Sequence, residues 1–154
     1  MKKLYAVSDI HGQYFNFKEA LISAGLVDLE LKWKDDNNKL IICGDNIDRG
    51  PDSLSVLDLL IELSKSESVV VLMGNHEEML LNSILTNSEE SKEWFSIWIN
   101  NGGLEFALEL GLPKKKSYSI NEVKQKIDKK YINFMSKMKN YHTEDIKNEN
   151  RFLV

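Results

Sequence analysis

The segment Gly44-Asp45-Asn46-Ile47-Asp48-Arg49-Gly50 decides how this chain is read. It follows Leu40-Ile41-Ile42-Cys43, an apolar run whose length and β-branched content predict a buried strand. The strand ends at a glycine, and two aspartates and an arginine follow within five positions. Gly50 and Pro51 then require a sharp turn. Charges at the end of a buried strand are costly unless they are paired or hold a metal. Taken alone, the segment reads equally well as a polar loop capping a helix that starts near Asp52.

Its neighbours break the tie. Upstream, Lys3-Leu4-Tyr5-Ala6-Val7-Ser8 is a second short apolar strand, and it ends in Asp9-Ile10-His11-Gly12. Downstream, Val69-Val70-Val71-Leu72-Met73 ends in Gly74-Asn75-His76-Glu77. Each strand delivers carboxylate, imidazole or amide groups at its C-terminal end, where open α/β sheets place their sites. The Asp-x-His spacing sends both side chains the same way in extended backbone. Each motif alone is weak, and the ordered triplet is strong.

Carrying Asp-x-His-Gly, Gly-Asp-x-x-Asp-Arg-Gly and Gly-Asn-His-Glu in order, the chain resembles the calcineurin-like metallophosphoesterases, in their phosphoprotein serine/threonine phosphatase branch. It looks similar in particular to short bacterial and phage members, including the related symmetrical dinucleoside tetraphosphatases. The resemblance implies an α/β fold, a metallophosphoesterase-type β-sandwich flanked by helices. This chain supplies the first sheet and leaves the second incomplete. It also implies two divalent ions (manganese, iron or zinc) that activate a water for attack on a phosphomonoester. By the same resemblance Asp9 and His11 bind the first ion, Asp45 bridges both and Asn75 serves the second. His76 is the general acid, Asp48 holds its ring and Arg49 clamps phosphate oxygens. Glu77 and Glu78 fit the positive end of a helix and act only there.

The family completes its second metal site with two further histidines and a second arginine, all expected beyond Val154. The second site is therefore expected to be incomplete here, in a truncated product or a degenerate relative. His142, after the last helix and with no strand to aim it, reads as a surface residue. The implied substrate is a phosphorylated protein or a small phosphoester or dinucleotide. The rivals are symmetrical hydrolysis of dinucleoside tetraphosphates and a catalytically dead module that binds metal, phosphate or a partner.

The remaining features bound the class. The 154 residues suit a single domain with a helical insertion over about 87–140. A net charge of −4 gives no reason to expect nucleic-acid binding. No apolar run approaches the roughly 20 residues of a membrane span. The chain enters a strand directly, so no signal peptide is expected, and a single cysteine fits a reducing cytoplasm. Cys43 reads as a small core residue, and Lys114-Lys115-Lys116 as a solvated loop.

Helical spacing predicts helices over Tyr14–Ala24 and Ser53–Ser64, the second with Asp52 as its cap, and another after the third motif. Trp94, Ile97, Trp98 and Ile99 mark an aromatic helix that stops at Asn100-Asn101-Gly102-Gly103. It reads equally as a packing helix and as the substrate-side insertion of small bacterial phosphatases. Leu104–Leu110 predicts a short helix stopped by Gly111 and Pro113. Ser119 opens a capping box, and Ile120, Val123, Ile127, Tyr131, Phe134 and Met138 predict one amphipathic helix to about Lys139. Asn150–Val154 reads as a strand that begins and does not finish.

Overall fold

The computed structural model describes residues 3–34, 36–86, 88–115, 118–146 and 149–153. Asp35, Asn87, Lys116 and Val154 lie outside the described residues. Three short strands, β1 (Leu4–Val7), β2 (Lys39–Ile42) and β3 (Val69–Val71), form a parallel sheet with β2 in the centre. The crossovers are α1 (Tyr14–Ser23) and α2 (Ser53–Leu63). Phe17 and Leu21 of α1 join Val56, Leu60 and Leu63 of α2 against Leu40, Ile42, Val69 and Val71 in one core. Both helices thus cover one face, as two successive right-handed crossovers in one direction require.

A second core binds α3 (Asn75–Leu85), α4 (Glu89–Trp98), α5 (Leu104–Glu109), α6 (Ile120–Lys126) and α7 (Lys129–Met135) to the far side of α2 through Leu57. Lys139 bridges Leu72 in parallel and its carbonyl accepts Met73 N–H at 2.8 Å, which extends the sheet beyond β3. Two further strands, β4 (His142–Ile146) and β5 (Glu149–Leu153), pair antiparallel. Residues 150–153 are therefore paired in a hairpin, and the second sheet has two strands among the described residues.

Two local expectations change. The single amphipathic helix to Lys139 is two helices: Ile127 leaves the helix with ψ 128, and the Asp128 carboxylate caps α7 by accepting Lys130 N–H at 2.8 Å. The apolar spacing runs through the break because Val123, Ile127, Tyr131 and Met135 all face the second core. The aromatic helix stops within the expected Asn100–Gly103 stretch: the backbone leaves helical geometry at Gly102, φ 113, and after this kink α5 begins at once. Asp52 sits at the N-cap of α2 without accepting a bond, and the carboxylate of Glu109 caps that helix instead. The capping box at Ser119 forms as its sequence requires.

Candidate active site

The loops after β1, β2 and β3 meet backbone to backbone. His11 N–H donates to the Asp45 carbonyl and Gly12 N–H to that of Asn46, both at 2.9 Å. A Cβ on Gly74 would stand 2.1 Å from Asp45 N, and one on Gly50 2.1 Å from the His11 carbonyl oxygen, so both positions need glycine. Among the described residues, six non-glycine residues have positive φ, and five of them are Asp9, His11, Asp45, Asp48 and Arg49. Such conformations cost about 1–3 kcal/mol each and collect at functional sites.

The side chains converge accordingly. Ligand-type atoms of His11, Asp45 and His76 all lie within 4.8 Å of one another, and the two imidazole rings are 4.7 Å apart, edge to face. His11 Nδ1 bonds the Ile47 carbonyl at 3.0 Å, so that nitrogen carries the proton and Nε2 presents its lone pair. Asp9 lies 3.9 Å from Nε2, and Arg49 Nη1 donates to it at 3.0 Å. The Asn75 amide faces the Asp45 carboxylate, and with its nitrogen turned toward it donates to both oxygens, at 3.0 and 3.1 Å. Turned by half a rotation, it places its oxygen there instead. Carboxylate and imidazole on one rim fit a hard or borderline divalent ion; His11, Asp45 and His76 are close enough together to hold one, with Asp9 and Asn75 beside them.

His76 is buried, and its Nδ1 bonds Asp48 Oδ2 at 2.8 Å. Asp48 is fully buried, and burial pushes its carboxyl above the usual range against the opposing hydrogen bonds of His76 and Trp98. Proximity alone would let His76 serve as a third ligand beside His11 and Asp45. Its engagement by a buried carboxylate suits a proton donor equally well.

Three contributors went unseen in the sequence. Glu77 does not act only on its own helix: its carboxylate accepts the N–H groups of Gly74, Asp45, Asn46 and Ile47 at 2.8–3.2 Å. It thereby binds the third loop to the second. Trp98, fully buried, donates from Nε1 to Asp48 Oδ2 at 2.8 Å. Glu109 accepts Ser53 and Leu54 N–H, both at 2.8 Å. The Asn-Gly-Gly spacing was the available signal for this segment.

Of the remaining expectations, His142 lies on β4 and is part-buried, not on the open surface. Its Nε2 meets Glu144 at 2.9 Å, and Glu144 pairs with Lys39 at the start of β2, whereas the site gathers at the strand's end. Cys43 is half-buried and burial raises its thiol pKa. No helix among the described residues is long and apolar enough to cross a membrane.

Burial, with a smaller contribution from Asp52, pushes the Glu109 carboxyl up to about 7 against the pull of its two N–H donors. A folded pKa above the ordinary 4.5 means that the folded state binds the proton more tightly. This contribution to stability is fully present below about 4.5 and is lost as pH rises through about 7. We expect Glu109→Gln to flatten the pH dependence of the urea midpoint in that window. An unchanged slope would show that the group titrates normally.

Residues 2–153 match the calcineurin-like phosphoesterase family, and the chain belongs to it. It is 32% identical over 141 residues to serine/threonine-protein phosphatase 2 of Salmonella typhimurium, a match covering 85% of this chain and 56% of that protein. It is 44% identical over 77 residues to the symmetrical bis(5'-nucleosyl)-tetraphosphatase of Wigglesworthia glossinidia brevipalpis, covering 50% of this chain and 25% of the relative. The chain thus spans about half of one relative and a quarter of the other. In fold it is similar to a hypothetical protein from Pyrococcus horikoshii OT3, with TM-score 0.55 at 14% identity over 99% of this chain and 54% of that one.

Proposed function

We propose that this chain carries the metal- and phosphate-handling part of a phosphoesterase of the serine/threonine phosphatase type. The observation that supports it best is the buried His76–Asp48 pair standing beside the His11 and Asp45 donors. In this reading Asp9, His11 and Asp45 hold one divalent ion, and Asp45 and Asn75 contribute to a second, with manganese the first metal to try. Such ions supply charge neutralisation at phosphate and a water acidic enough to attack near neutral pH. Arg49 aligns phosphate oxygens with its planar fork. His76 gives its proton to the departing alkoxide, and Asp48 stabilises the ring while it is charged. A phosphoprotein is preferred over a dinucleoside tetraphosphate because the phosphatase match runs over 141 residues and the tetraphosphatase match over 77. Parallel assays of a phosphopeptide and a dinucleoside tetraphosphate discriminate the two. We also assign it to the cytoplasm, where its one free thiol would stay reduced.

Metal content tests the division of roles. Asp45→Asn is expected to weaken manganese binding by about 100-fold or more, beyond the 10–100-fold that loss of an outer-shell partner costs. His76→Asn is expected to leave metal content unchanged in equilibrium dialysis. Loss of metal from His76→Asn would make His76 a ligand and overturn its assignment as the acid.

A further inference from the structure

The helical segment from Trp98 to Glu109 lies outside the three motif loops, yet it is bonded to one of them and to the turn that follows. Trp98 Nε1 donates to Asp48 Oδ2 at 2.8 Å. Arg49 N–H donates to the Gly102 carbonyl at 3.1 Å, and Arg49 Nε to that of Asn101 at 3.4 Å. At its far end Glu109 holds Ser53 and Leu54, and Ser53 Oγ in turn accepts Asp48 N–H at 3.0 Å. We propose that this segment is a positioning element that fixes the ring tautomer of His76 and the aim of Arg49, with Trp98 its principal positioning residue. The proposal rests on the phosphoesterase reading only for the use made of the ring and the guanidinium.

The carboxylate of Asp48 is shared by two rings. Its Oδ2 takes both the His76 ring and the Trp98 indole, while Oδ1 is buried without a partner. A carboxylate anchored by one ring alone can turn about its Cβ–Cγ bond, and the ring can turn with it. The indole donor removes that freedom, as an outer partner does for a liganding histidine. Trp98 is itself immobile: it is fully buried, its ring meets Phe95 and Phe106, and Gly103 has no room for a Cβ against it.

The backbone repeats the arrangement. Asp48 and Arg49 hold φ 71 and 64, a conformation that needs outside support, and Ser53 Oγ and the Gly102 carbonyl provide it. Gly102 permits the approach, since a Cβ there would stand 2.6 Å from Arg49 Cγ.

Trp98→Phe keeps the ring bulk and deletes only the donor. Nitrogen-detected NMR of the His76 ring, at a pH where it is neutral, is expected to show the Nδ1-protonated tautomer in the wild-type chain. The substitution should shift the tautomer ratio about fivefold or more toward Nε2–H, the scale of one lost hydrogen bond. A folded Trp98→Phe with an unchanged ratio overturns the proposal and leaves Trp98 a packing residue. Should that variant not fold, Glu109→Gln tests the segment from its other end by amide hydrogen exchange. Exchange of Asp48 and Arg49 N–H is then expected to accelerate about tenfold with that of Ser53 and Leu54, relative to Leu72 in the sheet. Acceleration confined to Ser53 and Leu54 overturns the coupling. Neither readout uses metal or substrate, so failure of the phosphoesterase reading would be seen separately, as absent metal binding.

Discussion

Glu77→Ala is expected to lower the unfolding free energy by about 4 kcal/mol or more, a large part of the 5–15 kcal/mol typical of a domain. Four backbone N–H groups at 2.8–3.2 Å lose their acceptor together. Each buried donor left unpaired costs about 1–3 kcal/mol. Part of that loss is recovered, because the carboxylate itself is costly to bury, and burial pushes its pKa upward. Water entering the space recovers more. The net remains large because Asp45, Asn46 and Ile47 lie on one loop that nothing equivalent replaces. Glu77→Gln should fall between, since an amide offers one acceptor oxygen and sets an N–H against the others. Urea denaturation gives the answer, and a Glu77→Ala midpoint within about 1 kcal/mol of wild type would show that the loop holds itself.

The largest kinetic expectation concerns residues 1–154 as a polypeptide. In the ligand set proposed above, one ion would be offered Asp9, His11 and Asp45, and the other only Asp45 and Asn75. A cation held by one shared carboxylate and one amide should exchange freely, so binding measurements should approach one tight ion per chain. Hydrolysis of a generic phosphomonoester is then expected to be slow even with abundant manganese. Whatever turnover exists should fall about 10²–10⁴-fold in His76→Asn, the usual contribution of a general acid. Rapid turnover that Asp9→Asn and Asp45→Asn abolish would overturn the ligand count. His142 is poorly placed to explain such a result, being committed to Glu144 near the beginning of β2.

What was legible in the sequence was local. Each strand announced itself by a β-branched run, and each motif by its position just after one. The three loops could therefore be assigned to one end of a sheet before their contacts were known. What stayed hidden was held by distant partners. Trp98 reaches Asp48 across 50 positions, Glu109 reaches Ser53 across 56, and Glu77 reaches Asn46 across 31. Glu77 was concealed by a sufficient local explanation, since an acid in the first turn of a helix needs no other. The break at Asp128 was concealed in the opposite way. Apolar spacing continues across it, and an aspartate inside such a pattern looks like any exposed helical residue until it is seen to cap.

The interlocked glycines have a consequence for how the protein is made. β1 and β3 each pair with β2 and not with each other, across helical crossovers that separate Leu4 from Lys39 and Leu40 from Val69. Such distant parallel pairings form late, after local helices. Since Gly44 packs against Gly74 and Gly50 against His11, each too closely for a Cβ, no intermediate with two strands docked contains the whole rim. On the ribosome, Glu77 must clear the exit tunnel and β3 must dock before the loop of Asp45 gains the carboxylate that holds it. The rim is then finished only once about half of the chain has been made.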